Sequence, residues 1–115
     1  MANTFKQISK AGVTSSDVIY TVAGSTTTVV LGLIIGNTQS SAITVTLTIS
    51  TDTSNRSGAN NEDNQPVELL TATSIPANSS LELLAGNKIV LETTDVINLP
   101  ASAAADISIS VMEIT

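Results

Sequence analysis

The sequence predicts an all-β fold: one domain, an antiparallel β-sandwich of jelly-roll-like type with about eight or nine strands. Three observations carry this expectation. Apolar and polar residues alternate with period two, most cleanly in Ala42 to Ser50. There Ile43, Val45, Leu47 and Ile49 share one face, and Thr44, Thr46, Thr48 and Ser50 share the other. Turn residues punctuate the chain at short, regular spacing. Helical signal is poor. Ala101-Ser102-Ala103-Ala104-Ala105 is the one Ala-rich stretch, long enough for a single turn at most.

The strands follow in order. Phe5 to Ser9 is the first. Asp17 to Val22 is the second, ended by Ala23-Gly24-Ser25. Thr26 to Ile35 is the third. Its second half is apolar at every position except Gly32, the pattern of a central strand covered on both faces. Gly36-Asn37-Thr38-Gln39-Ser40 turns into the Ala42 strand. Val67 to Thr73 is the fifth, and Ile75-Pro76-Ala77-Asn78 turns it. Leu81 to Leu84 and Lys88 to Glu92 flank Ala85-Gly86-Asn87. Val96 to Leu99 leads to Pro100, and Ala105 to Ile114 closes the chain. In this last strand Ile107, Ile109 and Val111 oppose Ser108, Ser110 and Met112, after which charged Glu113 and apolar Ile114 invert the pattern. A bulge near Val111, or a neighbour burying both faces, would account for the inversion. Asp52 to Gln65 is polar and Asn-rich, and reads as a long exposed loop.

Composition removes whole classes of chemistry. The chain of 115 residues is one domain by length, and it has no Cys, His or Trp. Imidazole and thiol catalysis are excluded, as are disulfides and the usual ligands of zinc, copper and haem. No cofactor is expected. With four basic and ten acidic residues the net charge is -6. Lys6, Lys10, Arg56 and Lys88 are too few and too scattered for nucleic acid, and an acidic surface is not drawn to anionic membranes. Met1 to Lys10 lacks the apolar run of a signal peptide, and Val29 to Ile35 is too short to span a bilayer as a helix, so a soluble protein made in a cytoplasm is expected.

Three residue groups invite a catalytic or ligand-binding reading. Asp52, Asn55, Glu62 and Asp63 could face calcium, but Arg56 stands where a ligand should be, and a solvated loop or a contact finger fits better. Glu68, Glu82 and Glu92 could supply a carboxylate pair for glycoside hydrolysis, yet they alternate with Leu and Val and belong on solvent faces. Phe5 and Tyr20, the only aromatic residues, could line a sugar or base patch; two isolated rings read better as core or interface packing. The Thr-lined faces suit a permanent, non-greasy contact between proteins, and equally suit plain strand propensity. Few Lys or Pro residues guard the strand edges, which points to a homo-oligomer. The contact candidates are Phe5, Lys6, Lys10, Arg56, Asn60 and Asn61: the first three from the N-terminal arm or strand, the others from the polar loop. Arg56 is the only Arg and is a favoured interface residue.

Several blocks resemble small virion proteins of tailed phages, especially marine and cyanobacterial ones. They are Tyr20-Thr21-Val22 with Gly24, Thr28-Val29-Val30-Leu31-Gly32-Leu33 with Asn37, Ile75-Pro76-Ala77-Asn78-Ser79-Ser80-Leu81-Glu82, Gly86-Asn87-Lys88-Ile89-Val90-Leu91-Glu92 with Asp95, and the ending Val111-Met112-Glu113-Ile114-Thr115. The chain departs from that pattern at Ala23, where Pro is usual, and in its longer central loop. The resemblance implies a non-enzymatic sandwich repeated on a virion, assembled in a bacterial cytoplasm. Its implied partners are other virion proteins: the major capsid protein for a decoration or cement protein, commonly trimeric, or tail and neck components for a neck, tail or fibre accessory. A carbohydrate-binding adsorption module is a further alternative, disfavoured by the shortage of aromatic residues.

Overall fold

A computed structural model describes residues 2–14, 17–51, 66–84 and 87–115. These residues form nine strands and no helix: β1 (Asn3–Val13), β2 (Asp17–Thr21), β3 (Thr27–Asn37), β4 (Ile43–Ser50), β5 (Pro66–Ile75), β6 (Ser80–Leu83), β7 (Ile89–Leu91), β8 (Val96–Leu99) and β9 (Ala105–Ile114). The expected all-β sandwich is what the chain adopts. The last two strands keep their expected bounds, while β1, β3 and β5 run longer.

Every strand pair is antiparallel. The first sheet has the order β1-β9-β3, with β6 and β7 end to end along the far side of β3; the second has the order β2-β8-β4-β5. The pairings nest: β1 with β9, β2 with β8, β3 with β6 and β7, and β4 with β5. The chain is therefore a long two-stranded ribbon. Rolling it up lays β9 on β3 and β8 on β4, which is the wrapping of a jelly roll.

Alternation decides which side chains enter the space between the sheets. Val30, Leu33 and Ile35 of β3, Val45 and Leu47 of β4, Leu99 of β8, and Ile109 and Val111 of β9 are at most 1% exposed. The core is aliphatic, with Tyr20 packed at its margin. Each fully buried Val, Leu or Ile contributes about 1.5–3 kcal/mol.

Asn37 is the polar pin of one end. It is 3% exposed. Its Nδ2 donates to the carbonyls of Ser41 (3.0 Å), Ile75 (3.0 Å) and Pro76 (3.1 Å), and its Oδ1 accepts from the Gln39 amide at 2.8 Å. The β3–β4 turn is thereby tied to the β5–β6 corner. That corner turns on Asn78 at φ 57, a left-handed conformation that Asn tolerates better than most residues.

Three expectations are corrected. The inversion near the C-terminus is no irregularity of β9, which pairs with β1 in unbroken register from Ile107 to Ile114. The bulge lies on β3, at Leu31, between the partners of Val111 and Ser110. Glu113 keeps the core-facing parity and Ile114 the outward one. The Ala-rich segment forms no helical turn: Ala101 bridges to Val45 and β9 starts at Ala105. Finally, β3 is central, but among the described residues nothing covers its outer face. Its outward residue Ile34 is 46% exposed.

Candidate functional site

The uncovered face of the first sheet is the most distinctive surface. On β9 the inward set Ile107, Ile109 and Val111 leaves Ser108, Ser110 and Met112 outward. The registers then align one row across the sheet: Phe5 opposite Met112, Met112 opposite Val29, Val29 opposite Val90. Four apolar side chains thus cross β1, β9, β3 and β7 on the solvent side. Phe5 is 71% exposed and Val90 61%. Beside this row runs Gln7–Ser110–Gly32, and beyond it Ser9–Ser108–Ile34–Glu82. Small residues lower the surface on both sides of Ile34. One open groove of about 460 Å³ is lined by Ser9, Lys10, Ala11, Gly36 and Asp106; a second, of about 260 Å³, by Gly32, Ser110, Glu82 and Leu84. A row of apolar side chains flanked by shallow grooves can mould onto another protein. Side by side on one face, such residues mark an interaction surface more strongly than scattered ones.

The flank between β1 and β2 carries a polar cluster. Lys6 and Glu113 pair at 2.8 Å. The Tyr20 hydroxyl donates to Glu113 Oε2 at 2.6 Å and lies 2.7 Å from Thr28 Oγ1. The Lys6 hydrogen bond first, and then that of Tyr20, hold the Glu113 carboxyl below its usual range. Burial, followed by the bond to Glu113, pushes the Tyr20 phenol up to about 12. Neither group changes protonation near neutrality, so this cluster cannot work as an acid–base pair there. It works as a clamp: it satisfies a charge that strand parity turns inward. Nearby, Lys10 Nζ donates to the Val18 carbonyl at 3.1 Å and ties the first sheet to the second.

The second sheet turns its hydroxyls outward, and some of them are engaged within the chain. Thr46 Oγ1 accepts from the Ala72 amide at 3.0 Å, and Asn98 Nδ2 reaches Ser50 Oγ at 3.5 Å. Across this face Val18, Asn98, Thr48 and Glu68 stand in line, and half-exposed Val18 is the one apolar member of that row.

Of the contact candidates, Phe5, Lys6 and Lys10 share β1. Phe5 lies outward in the apolar row, while Lys6 and Lys10 have the strand parity of the inner face, stay exposed at the sheet edge, and are engaged with Glu113 and the Val18 carbonyl. Arg56, Asn60 and Asn61, with the Asp52–Gln65 loop, lie outside the described residues. Glu68 and Glu82 are exposed on different sheets, so they form no catalytic pair. The described residues contain no group of three acidic, His or Cys side chains able to hold a metal ion, and no helix long and apolar enough to cross a membrane. Sequence reasoning missed Val29, Ile34, Val90 and Met112. The apolar run of β3 was the signal for Val29 and Ile34; Val90 and Met112 join them only through strand register. No family model, curated protein or solved structure matches the chain.

Proposed function

We propose that this chain is a non-enzymatic structural protein of a tailed-phage virion, a capsid decoration or cement protein that seats the outer face of its first sheet on the shell. The observation that carries the reading is the outward row Phe5–Met112–Val29–Val90, exposed at its two ends and half-buried at Met112 and Val29, with exposed Ile34 beside it. Such a surface is costly in solution and is relieved by association. The resemblance of the Thr28–Leu33 and Ile75–Glu82 blocks to small phage virion proteins supplies the setting. The mechanism is additive. Each copy contributes modest apolar burial and a polar rim of Gln7, Ser9, Ser108 and Glu82, and the symmetry of the shell repeats that contribution.

Quantitative mass spectrometry of purified particles tests the reading. Decoration requires a copy number matching the capsomers of the shell. The low, fixed number of a neck or tail ring would replace it with an accessory role, and absence from particles would end it.

A further inference from the structure

We infer that the free edge of β1 is a self-association site, and that its occupant is the β1 strand of a second copy, antiparallel across a twofold axis at Phe5. The inference rests on the reading of the first sheet as a contact surface, but it concerns copy-to-copy contact and not contact with a shell.

The edges of the two sheets are not equivalent. β2 is five residues long. β5 is shifted in register twice and carries Ala72 at φ 45. The β6–β7 edge breaks in the middle, beside Leu84 at φ 67. Short, bulged and interrupted edges resist pairing with other chains. β1 has none of these protections over Asn3 to Lys10, where its register with β9 is unbroken. Among the described residues its other side has no partner strand. Lysines of inner-face parity are the one guard it retains, and both are already occupied, Lys6 on Glu113 and Lys10 on the Val18 carbonyl.

The hydrogen-bond phase shows which backbone groups are open. Ala2 and Thr115 exchange both amide bonds, at 3.1 and 3.0 Å. In an antiparallel ladder such pairs alternate. Thr4, Lys6, Ile8 and Lys10 therefore face β9, while Asn3, Phe5, Gln7 and Ser9 turn their N–H and C=O groups to the free edge. A twofold partner must match these odd-numbered residues to one another. Centring on Lys6 puts Lys6 opposite itself, and centring on Ile8 puts Lys6 opposite Lys10; like charges directly opposite are destabilising. Centring on Gln7 sets Phe5 against Ser9 and breaks the apolar row. Centring on Phe5 stacks the two rings, sets Asn3 against Gln7 and Thr4 against Lys6, and forms about six ladder hydrogen bonds. It also joins the row Val90–Val29–Met112–Phe5 to its twofold copy, so one apolar stripe crosses both subunits. The first sheets of the two copies become one continuous sheet.

The test uses purified protein without particles, so its failure leaves the shell reading standing, and failure of particle binding leaves this one standing. Sedimentation velocity over rising concentration is expected to show a monomer passing to a dimer. The chain has no Cys, so a single introduced thiol reports the register. Opposite residues of a hydrogen-bonded pair lie about 5.5 Å apart at Cα, inside the roughly 4.4–6.8 Å that a disulfide spans. Under mild oxidation Phe5→Cys is expected to form a covalent dimer, and Gln7→Cys to stay monomeric. Gln7→Pro removes an amide that β9 does not use, so the fold is retained while two ladder bonds per dimer are lost, weakening association about thirtyfold. Phe5→Lys sets two like charges face to face and weakens the dimer without touching the ladder to β9. A species that stays monomeric at every concentration overturns the inference. So does a trimer, and so does faster cross-linking at Gln7→Cys than at Phe5→Cys.

Discussion

Adjacent isoleucines on β3 are expected to have opposite fates. Ile34 lies outward, 46% exposed between Ser108 and Glu82; Ile35 lies inward, 0% exposed between Ile107 and Leu81. Threonine at either site keeps the β-branch that a strand favours. At Ile35 it removes apolar volume, costing about 0.8 kcal/mol per methylene equivalent, and buries a hydroxyl, costing about 1–3 kcal/mol more. The total is about 2–4 kcal/mol. An unfolding entropy of about 2.1 cal/mol/K per residue makes about 0.24 kcal/mol/K for 115 residues, so the Tm falls by about 8–17 °C. At Ile34 the same change should move stability by less than about 0.5 kcal/mol. Its cost appears on binding: covering the exposed half of an isoleucine is worth about 1 kcal/mol, about fivefold in Kd. Urea unfolding followed by the fluorescence of Tyr20, the only Tyr in a chain without Trp, measures the first effect. Co-sedimentation with particles that lack the protein measures the second. Equal destabilisation by Ile34→Thr and Ile35→Thr would refute the assignment of faces, and unchanged affinity in Ile34→Thr would refute the contact surface.

Asn37→Ala removes the donors on the Ser41, Ile75 and Pro76 carbonyls and should cost about 2–4 kcal/mol in urea unfolding. Asn37→Asp, which turns an acceptor toward those same carbonyls, should cost more; a milder Asp variant would show that the pin lies elsewhere. The Tyr20 phenolate should appear in ultraviolet titration with a midpoint of about 12 instead of the ordinary 10.0. A raised folded pKa means the contribution of this group to stability is complete below 10 and fades as pH climbs through about 12. Glu113→Gln should bring the phenolate midpoint down; a midpoint near 10 in the parent would contradict the clamp. Glu113 has the opposite sign. Its lowered pKa favours the fold above its ordinary 4.5, and that contribution is lost as the solution is acidified below it. Denaturation midpoints measured from neutral pH downward should decline less steeply in Glu113→Gln than in the parent, and parallel slopes would remove Glu113 from the acid response.

The strands were legible because an antiparallel sheet with one wet face writes its geometry into the chain. Ile43, Val45, Leu47 and Ile49 alternate with hydroxyl residues, and all four are buried. The bounds of β8 and β9 could be read from Val96, Leu99, Ala105 and Ile114. β1 ran past its expected end because Lys10 to Gly12 carries no apolar period; its length comes from pairing with β9, a partner far along the chain. Glu113 was misread for a related reason. Period-two reasoning treats a charge on the inner face as a break in register. Here Lys6 and Tyr20, from two other strands, satisfy it in place, and Thr28 of a third bonds the Tyr20 hydroxyl.

The apolar run Val29 to Ile35 carried more meaning than either sequence or fold gives it alone. Continuous hydrophobicity in a strand signals two covered faces. The jelly roll supplies one cover, the second sheet against Val30, Leu33 and Ile35. Within the described residues the other face meets solvent, although Val29 and Ile34 keep the chemistry of a buried surface. Met112, Phe5 and Val90 extend that chemistry across the neighbouring strands on the same side, while the second sheet turns out Thr44, Thr46 and Thr48 and exposes Val18, Val67 and Leu69 on its edge strands β2 and β5. Strand propensity alone would not line apolar residues up in one row across four strands, because β-branched Thr serves a strand as well as Val or Ile does. That alignment is what supports the proposal that a partner covers the first sheet and its β1 edge.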